Sequence, residues 1–244
     1  MASAWAAELL LGGIVVLGAS VQWLTGMGFA LVAVPALVLI LGPTQGVVLA
    51  NCAAGVISII GLTTGWRQVR LGAMIPLVIA SACTVPAGSW VAARLPEPAL
   101  LAGVGILVTA AVVFVMGGVR LSALRGTRGA VTAGAVGGFM NSAAGVGGPP
   151  YSLYAVNAGW PVREFVPNAQ FYGIIVNVFS VAANGAPKLS GPAWTVATVA
   201  LATGALIGRA LAPRVPEQWI RQLVLALALT GGLSVLVKGL WGMQ

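Results

Sequence analysis

Apolar runs close to membrane-spanning length follow one another from end to end of this sequence, at about 4–24, 28–42, 46–64, 73–93, 98–118, 129–144, 149–159, 165–184, 193–212 and 219–240. A helix needs about 20 apolar residues to cross hydrocarbon. A barrel would show segments of about 10 residues with strict alternation, and none occurs here. Only 7% of residues are charged, against about 25% in a soluble domain. The expectation is an all-α integral membrane protein with no room for a soluble domain.

The ionisable residues narrow the chemistry. The sequence holds no His, no Asp and four Glu: Glu8, Glu97, Glu164 and Glu217. Zinc hydrolysis, aspartyl dyads, Ser–His triads and His-ligated haem all lack their residues, so no enzyme, no metal and no cofactor is expected. The net charge of +8 lies mostly between the apolar runs, where it reads as membrane topology rather than nucleic-acid binding. Cys52 and Cys83 fall inside apolar segments and read as packing residues. The opening "MASAWAAELLLGGIVVLG" has no basic n-region and carries Glu8, so it reads as a first membrane helix rather than a cleaved signal peptide.

Two related halves are visible. "GSWVAARLPE" (Gly88 to Glu97) and "GRALAPRVPE" (Gly208 to Glu217) share the pattern G-x5-R-[LV]-P-E. "QWLTGMGF" (Gln22 to Phe29) matches "NSAAGVGG" (Asn141 to Gly148) in its paired glycines, and "GPTQGVVLAN", ending at Asn51, corresponds to "GWPVREFVPN", ending at Asn168. Each half runs helix, Gly-rich break, short apolar piece, Asn-bearing helix and two further helices. The expected organisation is a first repeat at 1–119, a cytoplasmic linker at 120–128 and a second repeat at 129–244. Internal repeats of this kind are common in secondary transporters. Two topologies fit: ten elements with antiparallel (inverted) halves, or eight crossings with parallel halves. The inverted arrangement puts nine basic residues on one side (Arg67, Arg70, Arg120, Arg125, Arg128, Arg163, Arg209, Arg214 and Arg221) and three on the other (Arg94, Lys188 and Lys238). The positive-inside rule favours it, with both termini outside.

The stretch "GGFMNSAAGVGGPPYSLYAVNAGW" (Gly137 to Trp160) cannot hold one unbroken helix. Irregular backbone at membrane depth is tolerated where it is buried or lines a cavity. Pro149 and Pro150 suit the first turn of a new helix, and the free amides at a helix start favour an anion. With the partner break at Gly26 to Gly28, this predicts a small polar pocket near the middle of the fold. The candidate substrate-binding residues are Thr25, Gly26, Gly28, Asn51, Asn141, Ser142, Gly145, Gly147, Gly148, Pro149 and Asn168. Glu8 is the candidate proton site, as the one carboxylate inside an apolar run. Other glycines, such as Gly103, Gly105, Gly231 and Gly232, read as packing notches. Arg163 with Glu164 reads as an interfacial charge pair, and Trp66, Trp160, Trp194 and Trp219 as interfacial anchors.

These residues resemble the sulfite exporter TauE/SafE family. "TGMGFALVAVP" (Thr25 to Pro35) is similar to its first-half signature and "GVGGPPYSLYAVNAG" (Gly145 to Gly159) to its second. Phe29 departs from the pattern, where many members continue with glycine. The resemblance implies a multi-pass exporter in the cytoplasmic (inner) membrane for small sulfur-containing or carboxylate anions such as sulfite or sulfonates. The implied partners are a small anion and the bilayer, with a homodimer as a further candidate. A scaffold or insertion subunit of the membrane is the alternative from another class.

Overall fold

The computed structural model describes residues 2–63, 65–117 and 125–244. Its helices are α1 (Ala2–Thr25), α2 (Phe29–Leu41), α3 (Pro43–Leu62), α4 (Leu71–Arg94), α5 (Glu97–Met116), α6 (Gly126–Ala144), α7 (Gly148–Asn157), α8 (Val162–Asn184), α9 (Gly191–Leu211) and α10 (Glu217–Trp241). A single 3-10 turn, Trp66–Gln68, precedes α4, and no strand occurs among the described residues. Among the described residues, seven helices are long and apolar enough to cross a membrane: α1, α3, α4, α5, α8, α9 and α10. Arg120 and most of the expected linker lie outside the described residues, and α6 already begins at Gly126.

Helix α6 falls outside the apolar set for a packing reason. Gly129, Gly134, Gly137 and Gly138 are all buried, and small residues let a neighbouring backbone approach closely. That neighbour is α4. A β-carbon on Gly138 would lie 2.5 Å from the Ser81 carbonyl oxygen. The same closeness lets Ser81 Oγ donate to the Gly134 carbonyl (2.8 Å) and Thr84 Oγ1 to that of Ala135 (2.7 Å).

The helix pairings fix directions. Gly12 faces Val196, Gly204 faces Val16 and Ala19, and Gly208 faces Ser20 and Trp23, so α1 and α9 run parallel. In α4 and α6, Leu77 meets Gly134 and Ser81 meets Gly138, again parallel. Helices α3 and α8 are antiparallel, with Gly55 opposite Asn177 and Gly61 opposite Gln170. Helices α5 and α10 are also antiparallel, with Ala102 at Gly239 and Thr109 at Gly232. Since α10 folds back along α9, α10 ends where α1 begins. Helix α5 runs with α1 and finishes at the opposite end, where α6 starts. Arg67, Arg70, Arg125, Arg128, Arg163, Arg209 and Arg214 sit at that second end; Arg94, Lys188 and Lys238 sit at the end holding the termini.

Candidate substrate cavity at the paired helix breaks

Helices α1 and α6 stop in the same way. Gly26 (φ 79°) and Gly145 (φ 71°) are left-handed, a conformation in which a β-carbon would crowd the carbonyl. The Gly26 N–H donates to the Gln22 carbonyl and the Gly145 N–H to the Asn141 carbonyl, both at 2.8 Å. Each is the single 5→1 bond of an αL cap, and at the end of α6 the Val146 N–H adds a bond to the Met140 carbonyl (3.3 Å). Each chain then reverses into a short helix, α2 or α7.

The two breaks meet. Ser152 Oγ of α7 donates to the Met27 sulfur (3.2 Å), and a β-carbon on Gly148 would lie 3.0 Å from that sulfur. Thr25, Gly26, Gly28, Asn141, Gly147, Gly148 and Pro149 line one cavity of about 660 Å³. Asn51, Ser142, Gly145 and Asn168 do not line it. Asn51 is buried behind it and donates to the Asn141 carbonyl (3.2 Å). Ser142 Oγ is engaged with the Gly138 and Phe139 carbonyls. Gly145 packs on Val34 and Val47. Asn168 ties the start of α4 to α8, accepting from the Arg70 N–H (2.8 Å) and donating to the Glu164 carbonyl (2.7 Å). Glu8 is partly exposed and lies 14 residues before Gln22 on α1, about 21 Å along the axis at 1.5 Å per residue.

Amide side chains pin each break to the helix crossing behind it. Gln22 Nε2 donates to the Ala54 carbonyl (3.0 Å) and to Ser58 Oγ (2.8 Å) on α3. Asn141 Nδ2 donates to Asn177 Oδ1 (3.0 Å) and Ser180 Oγ (2.8 Å) on α8, and Asn141 Oδ1 accepts the Gly147 N–H (3.2 Å). Ser58 and Asn177 were not singled out in the sequence. Both lie seven residues after a buried amide, Asn51 and Gln170, and so on the same helix face. Asn51 follows the left-handed Gly26, and Gln170 the left-handed Gly145, by the same 25 residues. By this count Asn51 corresponds to Gln170, two residues beyond Asn168.

Two further expectations change. Glu164 pairs with Arg70 (2.7 Å) and not with Arg163, because adjacent helical residues do not face each other. Trp160 is not a free interfacial anchor: it stands edge-on to Tyr151 and Tyr154, lies under the Arg70 guanidinium and lines the cavity. Trp66, Trp194 and Trp219 are exposed.

The donors among the described residues of the cavity are neutral. Pro149 and Pro150 remove two N–H groups from the first turn of α7, and that of Gly147 is taken by Asn141, which leaves Gly148. Helix α2 has no proline in its first turn; its first internal bond runs from the Val32 N–H to the Gly28 carbonyl, so the amides of residues 29–31 have no helical partner. The first break therefore carries the richer set of backbone donors, the reverse of what the glycine count suggests. The cavity is also larger and more apolar than the expected small polar pocket, with Phe114, Phe165, Ile220 and Val224 among its walls.

Seven helices of spanning length among the described residues, with the breaks after α1 and α6 both opening on one cavity, define a polytopic membrane protein of broken-helix architecture. Residues 10–235 match the sulfite exporter TauE/SafE family, and the chain belongs to that family. It is accordingly a multi-pass membrane transporter of the anion-exporter class. No curated protein and no solved structure matches the chain.

Proposed function

We propose that the protein exports small sulfur-containing or organic oxyanions across the cytoplasmic membrane by alternating access, binding the anion where the two breaks meet. The observation that carries this reading is the convergence of the α2 and α7 N-termini on one cavity. Both present the positive end of a helix dipole to it. A scaffold subunit has no use for such a cavity.

The two halves act as inverted repeats in this reading. The antiparallel course of α3 against α8 and of α5 against α10 supports it, as does the similar pinning of Gln22 and Asn141. The positive-inside rule assigns the Arg-rich end to the cytoplasm. The cavity lies toward that end, since Trp160, Phe165 and Ala212 line it, which suits loading from the cytoplasm. An exported monoanion moving through an inside-negative potential gains about 2.3 kcal/mol per 100 mV, so no proton carrier is needed at depth.

The test is efflux from liposomes containing the purified protein, with sulfite and small sulfonates inside. Protein-dependent efflux is expected; its absence for every anion, with correctly inserted protein, contradicts transport.

A further inference from the structure

The cavity is not uniform. Toward the breaks it is lined by Gln22, Ser58, Asn141, Ser152 and Asn177, and its remaining wall is mostly apolar, with the Thr25 and Tyr172 hydroxyls turned to the Val21 carbonyl and to Ser81. Most of the polar atoms at the inner end are already engaged. Both hydrogens of Gln22 Nε2 and of Asn141 Nδ2 are donated within the protein. Asn177 is different. It is 6% exposed, its Oδ1 accepts from Asn141, and its own Nδ2 has no hydrogen-bond partner among the described residues. Ser58 Oγ accepts from Gln22, which leaves its hydroxyl hydrogen to donate. With the Gly148 N–H these make a short neutral donor set. No charged side chain is among the described cavity-lining residues.

Away from this set, Ile220 and Val224 of α10 pack on Val21 and Val32 to form one side of the wall, with Leu225, Phe114 and Phe165 also facing the cavity. A small, strongly hydrated dianion gains little here. Neutral donors replace part of its hydration shell, and the rest of its surface would meet hydrocarbon at a large desolvation cost. Sulfite would also occupy only a small part of about 660 Å³.

We propose that the preferred substrate is an amphiphilic monoanion, a sulfonate or carboxylate carrying a hydrocarbon body. Its head sits at Ser58, Asn177 and Gly148, and its body lies along the α10 and α5 wall. This rests on the anion-export reading and narrows it.

The experiment measures binding to the full-length protein in nanodiscs by tryptophan fluorescence, with the linear alkane-1-sulfonates from methane- to hexanesulfonate, sulfite, and hexan-1-ol. The same anions are then followed as counterflow in liposomes. Affinity is expected to rise roughly fourfold per methylene, the worth of one buried CH2, and hexanesulfonate is expected to bind far more tightly than sulfite or hexan-1-ol. Val224→Thr, close in shape to valine, should weaken hexanesulfonate more than methanesulfonate and so flatten the series. Sulfite binding tightest, with a flat series, overturns the proposal while leaving anion export intact. Hexan-1-ol binding as tightly as hexanesulfonate removes the head-group site and overturns it as well. If no anion binds or exchanges, both readings fall.

Discussion

Gly148 and Gly103 show how differently two glycines of one chain are used. A β-carbon on Gly148 meets only the flexible Met27 side chain at 3.0 Å, at the point where the breaks touch. One on Gly103 meets nothing within 4 Å. Gly148→Ala is therefore expected to lower the rate of anion efflux severalfold at unchanged protein abundance, and Gly103→Ala to leave it as it is; equal rates would detach the break from transport. Gly105 would serve badly as a neutral control, because a β-carbon there lies 2.5 Å from the Leu236 nitrogen. The notch role of Gly105 and Gly232 could be read from sequence, but Gly103 carries no such contact, and composition alone does not separate them. At the same scale, Glu8→Gln is expected to leave efflux and its pH dependence unchanged, since Glu8 stands about four turns of helix from Gln22. Loss of efflux in that variant, measured at equal pH on both sides, would make Glu8 a proton site.

Helix α6 holds its place through Asn141 as much as through its glycines. Asn141→Leu removes the bonds to Asn177 and Ser180 and leaves the Gly147 N–H without its acceptor. Leaving buried groups unpaired costs about 1–3 kcal/mol each, so the variant should lose roughly 2–4 kcal/mol. Thermal unfolding of the purified protein in detergent measures this, and an unchanged midpoint would mean that the network contributes nothing. The existence and order of the elements were legible, because apolar runs and Gly–Pro breaks are local signals. What stayed hidden was set by contacts between distant segments. Nothing near Glu164 in sequence points to Arg70, and the count that matches Asn51 with Gln170 starts from glycines whose left-handed φ only the fold shows. The apolar cavity wall was illegible for the same reason: Ile220 and Phe165 belong to separate helices whose side chains share a space only after folding.

Across the whole molecule, the helix directions place the start of α1 and the end of α10 at one end, and the end of α5 and the start of α6 at the other. In a Cys52→Ser, Cys83→Ser background, Gln244→Cys is expected to react with an impermeant thiol reagent on intact cells. Thr127→Cys, exposed just inside α6, is expected to react only after the cells are opened; the opposite pattern would reverse the orientation assigned from the Arg-rich end. The central claim, that an anion crosses through the cavity between the breaks, is tested most directly by one flux measurement. Efflux of a sulfonate from liposomes is followed at equal pH, with the potential set by potassium and valinomycin, for the native chain and for Gly147→Leu. A β-carbon at Gly147 already lies 2.8 Å from that of Asn141, so the larger side chain must displace the break. The native protein should release the anion faster as the interior is made more negative, and Gly147→Leu of normal abundance should release almost none. Efflux that ignores the potential, or a Gly147→Leu rate equal to the native one, would contradict the account.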